Sequence, residues 1–475
     1  MRALQKFLRY FVPGAQFSQP YRMRRWDGFK SFITQKNRIP LGSLEKTLGF
    51  IKKKFLVASV DIAPEYYNKI QDSSFLKDIE CYSKGERIIP RENQWQAINI
   101  CIKNNRCVCV APTSFGKSLV IYLLCRYHLN YGRKVIIVCP KQILVDQMIA
   151  DFRDYGYDGA INGIYSGKEK TTSDITVATY QTLVKIPDIL NSFDCLIQDE
   201  CHQSKANSIL SIIDKATKVK YKYGLTGSLK PDSIEYIFAS TYIGFPHYIT
   251  DTRTLMQEEV VAKLQVSIYR YIFPTAEMLD KRIDYQEERK KIGSADHRYK
   301  AILEEAGRIN KTGMIAVVEI EQAQMLYEMA RGMYPDRTIY QIRGGHIECN
   351  EVMYNSFEEI KPDIEKHKNA LLIVGLKVFS TGVSIKNIHF GIMAVSTKSY
   401  TSVIQTIGRG LRINKNKKDF LFIDWFDDFR KNVNTESYAY KHLRDRIVIY
   451  KEQGFEVSYY TVGEEQQNLL KGLEE

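Results

Sequence analysis

Cys107-Val-Cys-Val-Ala111-Pro-Thr-Ser-Phe-Gly-Lys117-Ser118-Leu-Val-Ile-Tyr-Leu-Leu124 decides how this chain folds. A short β-branched run enters a turn, and the turn opens an apolar helical pattern from Leu119 to Tyr127. A strand turning into a helix at Gly-Lys-Ser aims backbone N–H groups and the positive helix end at one point, where an anion is held. Lys117 reaches a β- or γ-phosphate from there, and the Ser118 hydroxyl ligates Mg²⁺. The strict pattern begins with glycine, but Ala111 stands in that place. Taken alone, the stretch therefore also fits a plain strand-to-helix turn.

Downstream, Ile197-Gln-Asp199-Glu200-Cys-His202 ends another apolar run. Adjacent carboxylates at the carboxyl end of a strand are poorly explained by packing. They suit nucleotide hydrolysis, with Asp199 holding Mg²⁺ and Glu200 polarising the attacking water. Outward from these two elements, short β-branched runs alternate with helical patterns from about residue 85 to 425. That alternation implies mainly parallel sheet covered on both faces. The first series of strands is expected at 107–111, 135–139, 175–178, 195–198 and 221–225. A second series is expected at 314–318, 371–374, 390–395 and 420–424, so two sheets fit the length better than one. The stretch 278–309 reads as helical near the join. A C-terminal helix carrying Tyr440, Leu443, Ile447 and Tyr450 on one stripe precedes a strand at 455–459.

The 475 residues suffice for two or three domains. No apolar run approaches the roughly 20 residues of a membrane span, and the basic N-terminus lacks the apolar core and cleavage site of a secretory signal. Nine scattered cysteines without paired CxxC elements point to a reducing compartment and no zinc site. The net charge of +13 is concentrated at one end: residues 1–60 hold 13 Lys/Arg against Asp27 and Glu45, leaving 55 basic and 53 acidic side chains elsewhere. Tyr21, Trp26 and Phe29 interleave with Arg22, Arg24, Arg25 and Lys30. That pattern suits a module facing a polyanion better than a merely solvated basic face.

In order along the chain, these motifs resemble those of the superfamily-two helicases, with Asp199-Glu-Cys-His202 as a DECH box. The resemblance implies two RecA-like parallel-sheet domains in tandem with ATP between them. Arg91-Glu-Asn-Gln94 is similar to the element whose glutamine reads adenine. Thr113, Ser114, Phe115 and Gly116 complete the phosphate loop, although Phe115 is bulky where the family has a small residue. Pro140-Lys141 with Gln147, and Thr179 with Gln181, resemble segments that grip the nucleic-acid backbone. Thr226-Gly227-Ser228, with His202, resembles the coupling element. Phe379-Ser380-Thr381-Gly382 resembles the fifth motif, which implies DNA contacts from Ser380 and Thr381 and a nucleotide contact from Gly382. Gln405-Thr-Ile-Gly408-Arg409-Gly-Leu-Arg412 resembles the sixth, whose arginines act on the γ-phosphate.

A narrower resemblance is to the branch-migrating phage helicases. It rests on Trp26-Asp-Gly28, Arg87-Ile-Ile-Pro90, Lys386-Asn387 and Asp445-Arg-Ile447 besides the motor motifs. It implies a basic N-terminal α+β accessory domain (1–83) that binds DNA through Arg22, Arg24, Arg25 and Trp26. Two motor domains (84–250 and 251–432) and a helix–strand segment (433–475) follow. The expected activity is ATP- and Mg²⁺-dependent remodelling of single-stranded, forked or four-way-junction DNA in recombination, repair or replication. The expected protein is a monomer in the cytoplasm, that of a host cell if a phage encodes it, with recombination or replication proteins as partners. An RNA helicase, the motor subunit of a restriction system and a nucleotide-dependent scaffold are the rival readings. The box is not DEAD, no nuclease-like element is found, and Lys117, Glu200 and Arg409 are present, which weighs against each in turn.

Overall fold

In the computed structural model the described residues are 2–33, 37–54, 71–203, 212, 215–216, 218–231, 233–343, 346–376, 385–414, 416–432 and 434–462. The chain divides into two compact units, Met1–Thr250 and Asp251–Glu475.

The first unit opens with an antiparallel pair, β1 (Arg9–Phe11) and β2 (Phe29–Ser31), followed by a second pair, β3 (Cys81–Ser83) and β4 (Glu86–Ile88). Seven parallel strands then build its main sheet: β5 (Arg106–Val110), β6 (Val135–Cys139), β7 (Ile161–Ile164), β8 (Ile175–Thr179), β9 (Cys195–Asp199), β10 (Tyr221–Thr226) and β11 (Phe245–Tyr248). Their order is β11-β5-β10-β9-β6-β8-β7. β5, β6, β8 and β9 are apolar almost throughout because helices cover both faces. β7 and β11 are four-residue edge strands, Ile-Asn-Gly-Ile and Phe-Pro-His-Tyr, too short and irregular to stand out in the sequence.

The N-terminal segment shares this core. Leu8, Phe32 and Ile33 pack in one cluster with Val108, Val110, Phe238 and Tyr242. Gly28, at φ +81°, lets the turn into β2 pass beneath the Phe11 ring, which a Cβ there would meet at 2.4 Å. All nine cysteines are buried free thiols, and Cys101 lies 3.6 Å, sulfur to sulfur, from both Cys107 and Cys109.

The second unit holds β12 (Lys263–Ile272), β13 (Gly313–Val317), β14 (Ile339–Arg343), β15 (His346–Cys349), β16 (Val352–Tyr354), β17 (Leu371–Gly375), β18 (Phe390–Met393), β19 (Asp419–Asp428) and β20 (Val457–Thr461). The order is β16-β15-β14-β17-β13-β18-β19-β12-β20, parallel except where β15 pairs with β14 and β16. β12 and β19 run side by side over ten residues each. The helix Tyr438–Glu452 packs on β19 and leads into β20, which pairs with β12. Arg298 is bound by Asp427 at 2.6 and 3.0 Å, and Arg446 by Asp424 at 2.8 Å through two nitrogens, all four side chains being buried.

Candidate active site

The phosphate loop leaves β5 and enters the helix Lys117–Asn130 through two left-handed residues, Ser114 at φ 69° and Gly116 at φ 83°. Glycine is needed at the second: a Cβ on Gly116 would sit 2.5 Å from Gln94 Nε2. The Phe115 ring is buried, which explains how a bulky residue fits the loop: it points into the core rather than toward the anion site. The Phe115 carbonyl accepts hydrogen bonds from Arg91 Nη2 at 2.5 Å and Gln94 Nε2 at 2.9 Å. Gln94 Oε1 in turn accepts from the Arg91 backbone N–H at 2.9 Å, capping the helix Glu92–Asn104. Arg91 and Gln94 thus brace the loop's backbone.

The acidic box follows β9, two strands from β5 in the sheet. Glu200 sits at φ 47°, a conformation that costs a non-glycine residue energy and turns the chain sharply at the strand end. Its carboxylate lies 3.7 Å from Lys117 Nζ. Burial, and then the negative charge of Glu200, push the Asp199 carboxyl up to about 7, against the pull of Lys117. From the box a polar chain continues. His202 Nδ1 is 3.4 Å from Glu200 Oε2, 2.6 Å from Thr226 Oγ1 and 3.5 Å from Ser228 Oγ. Burial lowers the His202 pKa despite Glu200 beside it, so the ring is a neutral hydrogen-bonding bridge. The Thr226 carbonyl accepts from Ala111 N–H at 2.9 Å, and a Cβ on Gly227 would lie 3.4 Å from Lys117 Nζ. Phosphate loop, acidic box and Thr-Gly-Ser turn therefore meet at one edge of one sheet.

Sequence reasoning missed Tyr155. Its hydroxyl is 2.7 Å from Ser118 Oγ, and burial raises its pKa so that it stays protonated. Its place three positions past Phe152 on the helix after β6 gave no signal of that contact.

Among the expected backbone-gripping residues, Gln181 Nε2 donates to the Pro140 carbonyl at 2.9 Å, which ties the ends of β6 and β8 together. Thr179 is buried, its Oγ1 3.0 Å from Thr182 Oγ1, while Lys141, at the N-cap of the helix Gln142–Asp154, and Gln147, midway along it, are exposed. Arg22, Arg24 and Arg25 are exposed. Trp26 is half-buried and its indole N–H donates to the Phe29 carbonyl at 2.8 Å, so part of its surface serves the local fold.

In the second unit Gln405 and Arg409 lie one turn apart on the helix Tyr400–Gly410, and Arg412 follows it. The buried Lys417 donates to the carbonyls of Gly410 and, at 2.9 Å, Arg412. Ser380, Thr381 and Gly382 lie outside the described residues. A cavity of about 220 Å³ opens at the carboxyl ends of β13, β17 and β18, lined in part by Glu288, Arg289, Gln322 and Thr397.

Two RecA-like sheets and this order of motifs define the class: the chain is an ATP-dependent helicase of superfamily two. Residues 87–230 match the family model described as "Type III restriction enzyme, res subunit". The chain is 29% identical to the ATP-dependent DNA helicase uvsW of Enterobacteria phage T4, over 97% of this chain and 95% of that one. It is 24% identical to the Type I restriction enzyme EcoAI endonuclease subunit of Escherichia coli, over 74% of this chain and 47% of that one. Among solved structures, S. cerevisiae Dbp5 bound to RNA shares the fold, with a TM-score of 0.54, 12% identity, and 79% of this chain and 90% of that one covered. Among the described residues no helix is long and apolar enough to cross a membrane.

Proposed function

We propose that the chain is an ATP-driven motor on DNA that remodels branched substrates, forks and four-way junctions among them. One observation carries the reading: the Lys117–Glu200 pair at 3.7 Å, joined through His202 to Thr226 and Ser228. That arrangement links the group holding phosphate, the group activating water and the turn that leads out of the site. Mg²⁺ fits the residues present. The half-buried Asp199 carboxyl is held up in pKa beside Glu200 despite Lys117, so a further positive charge suits it, and Ser118 offers a neutral oxygen. When bound, the cation neutralises charge on the transferring phosphoryl oxygens. Lys117 holds the terminal phosphates, and Glu200 orients water and takes its proton. Arg409 and Arg412 supply positive charge to the transition state, as the helicase resemblance implies.

DNA is favoured over RNA by the likeness to a DNA helicase across nearly the whole chain. The basic N-terminal segment supports a branched substrate, because its charge is separate from the motor motifs. Deleting it is the wrong test, since Leu8, Phe32 and Ile33 belong to the first unit's core. The substitution Arg22→Gln with Arg24→Gln and Arg25→Gln removes only exposed charge. It should flatten the log–log salt dependence of fork binding by about 2.7, the share of three phosphate contacts. The deciding experiment compares ATPase stimulation by single-stranded DNA, duplex, fork, four-way junction and RNA, with strand exchange followed on the junction. Stronger stimulation by RNA than by every DNA, or no junction movement, would overturn the proposal.

A further inference from the structure

A second cavity lies in the second unit, at the amino-terminal ends of its strands. It measures about 590 Å³ and opens where β12, β13, β18 and β19 begin. Six basic side chains line it: Lys263, Arg308, Lys311, His389, Lys417 and Lys418. Asp419 is the one carboxylate of the lining, while Glu305, just outside, pairs with Arg308 at 2.6 Å. Among the described residues no carboxylate lies within ion-pair distance of Lys263, Lys311 or Lys418, and all three are exposed. Four parallel strands starting together force these lysines, each at or beside a strand start, into one concavity. Like charges held this way raise each other's energy, and an anion between them relieves it.

Lys417 differs from the others. It is 1% exposed and spends its nitrogen on the carbonyls of Gly410 and Arg412, so it lies fixed beneath the cavity. Burial, then Lys311, then Lys417 hold the pKa of His389 below its ordinary value. We propose that this cavity is a phosphate-binding site distinct from the ATP site, taking either a free polyphosphate or the backbone of a nucleic acid. It is made for phosphate rather than for a flat carboxylate pair because its donors are mostly separate ammonium groups, which gather around a tetrahedral anion from several directions. An occupant would also contact the segment 416–418 that holds the Arg412 backbone in place.

The inference does not depend on the motor reading, and its test keeps the two apart. In the Lys117→Ala chain, which loses the phosphate-loop lysine, inorganic tripolyphosphate is titrated calorimetrically. The same is done with Lys311→Gln and Lys418→Gln added, and thermal melts show whether the exposed substitutions leave the fold intact. Binding in the first and at least tenfold weaker binding in the second is the expected result. If the natural source is a nucleic-acid backbone, the two glutamine substitutions in the otherwise native chain also lower the salt slope of duplex binding by about 1.8. An unchanged slope with lost tripolyphosphate binding assigns the site to free polyphosphate. Equal tripolyphosphate affinity in both chains overturns the proposal, as does polyglutamate binding where tripolyphosphate does not.

Discussion

The two units use buried polar groups in opposite ways. In the first, Lys117 and Glu200 approach only to 3.7 Å and keep part of their surface open, and Glu200 holds a left-handed backbone conformation to do so. In the second, Asp424 and Asp427 are each gripped through two nitrogens by Arg446 and Arg298, at 2.6 to 3.0 Å, with almost no exposure. A loose pair at a strand end can exchange its partner for a phosphate or a proton. A bidentate pair in the core cannot, because separating it leaves a charge in a medium that does not solvate it. Chemistry and architecture are thus told apart by geometry, although all six groups look alike in a list of charged residues.

The largest effect that tests this contrast is on turnover. Glu200→Gln should still bind ATP and DNA but hydrolyse roughly 10³-fold or more slowly, with an unchanged melting temperature; near-normal turnover removes Glu200 from its role. Lys117→Ala should lose turnover with phosphate affinity. Arg409→Ala should retain nucleotide binding while turnover falls by roughly 10³-fold, the scale of a lost arginine finger. Were binding lost and hydrolysis kept, Arg412 would be the better candidate. Next in size, Arg446→Met should cost about 3–5 kcal/mol of stability by stranding Asp424, read from urea unfolding. Adding Asp424→Leu should recover much of it, and a double variant no better than the single one would show that the pair's charge is not the issue.

The smallest effect concerns Lys417, which burial and then Arg412 bring down to about 7 from the usual 10.5. Between those values the unfolded chain binds a proton that the folded chain releases, so stability should rise with pH across that window. Lys417→Met should flatten the rise between pH 7 and 9.5 in denaturant midpoints. A rise of equal steepness in the variant would place its origin in other groups.

Legibility in the sequence followed the same divide. Runs such as Val135–Cys139 and Leu371–Gly375 announce buried strands because nothing but apolar β-branched side chains fits there. Asp419–Asp428 was expected to end at Asp424, yet the strand continues through Trp-Phe-Asp-Asp. Those acids fit a central strand only because Arg298, Arg446 and Arg270 arrive from other elements, which local pattern cannot reveal, while Arg430 folds back onto Asp428 from two residues on. Lys263–Ile272 escaped notice although its residues alternate, because its ten-residue partner lies far along the chain. At the site, Lys117, Asp199, Glu200 and the Thr-Gly-Ser turn were readable from their motifs. The Tyr155 contact and the bracing of Phe115 by Arg91 and Gln94 were not, being tertiary facts.

The pairing of β12 has a consequence for how the protein is made. The first unit is complete within the first 250 residues and can fold while the ribosome is still adding the rest. β12 emerges next, but both of its neighbours, β19 and β20, come from residues 419–428 and 457–461. For most of its synthesis the second half therefore carries a ten-residue strand with two bare edges, open to pairing with another nascent chain. Ribosomes that stall before Asp419 should leave products that aggregate, whereas stalling near Thr250 should leave a soluble, folded first half.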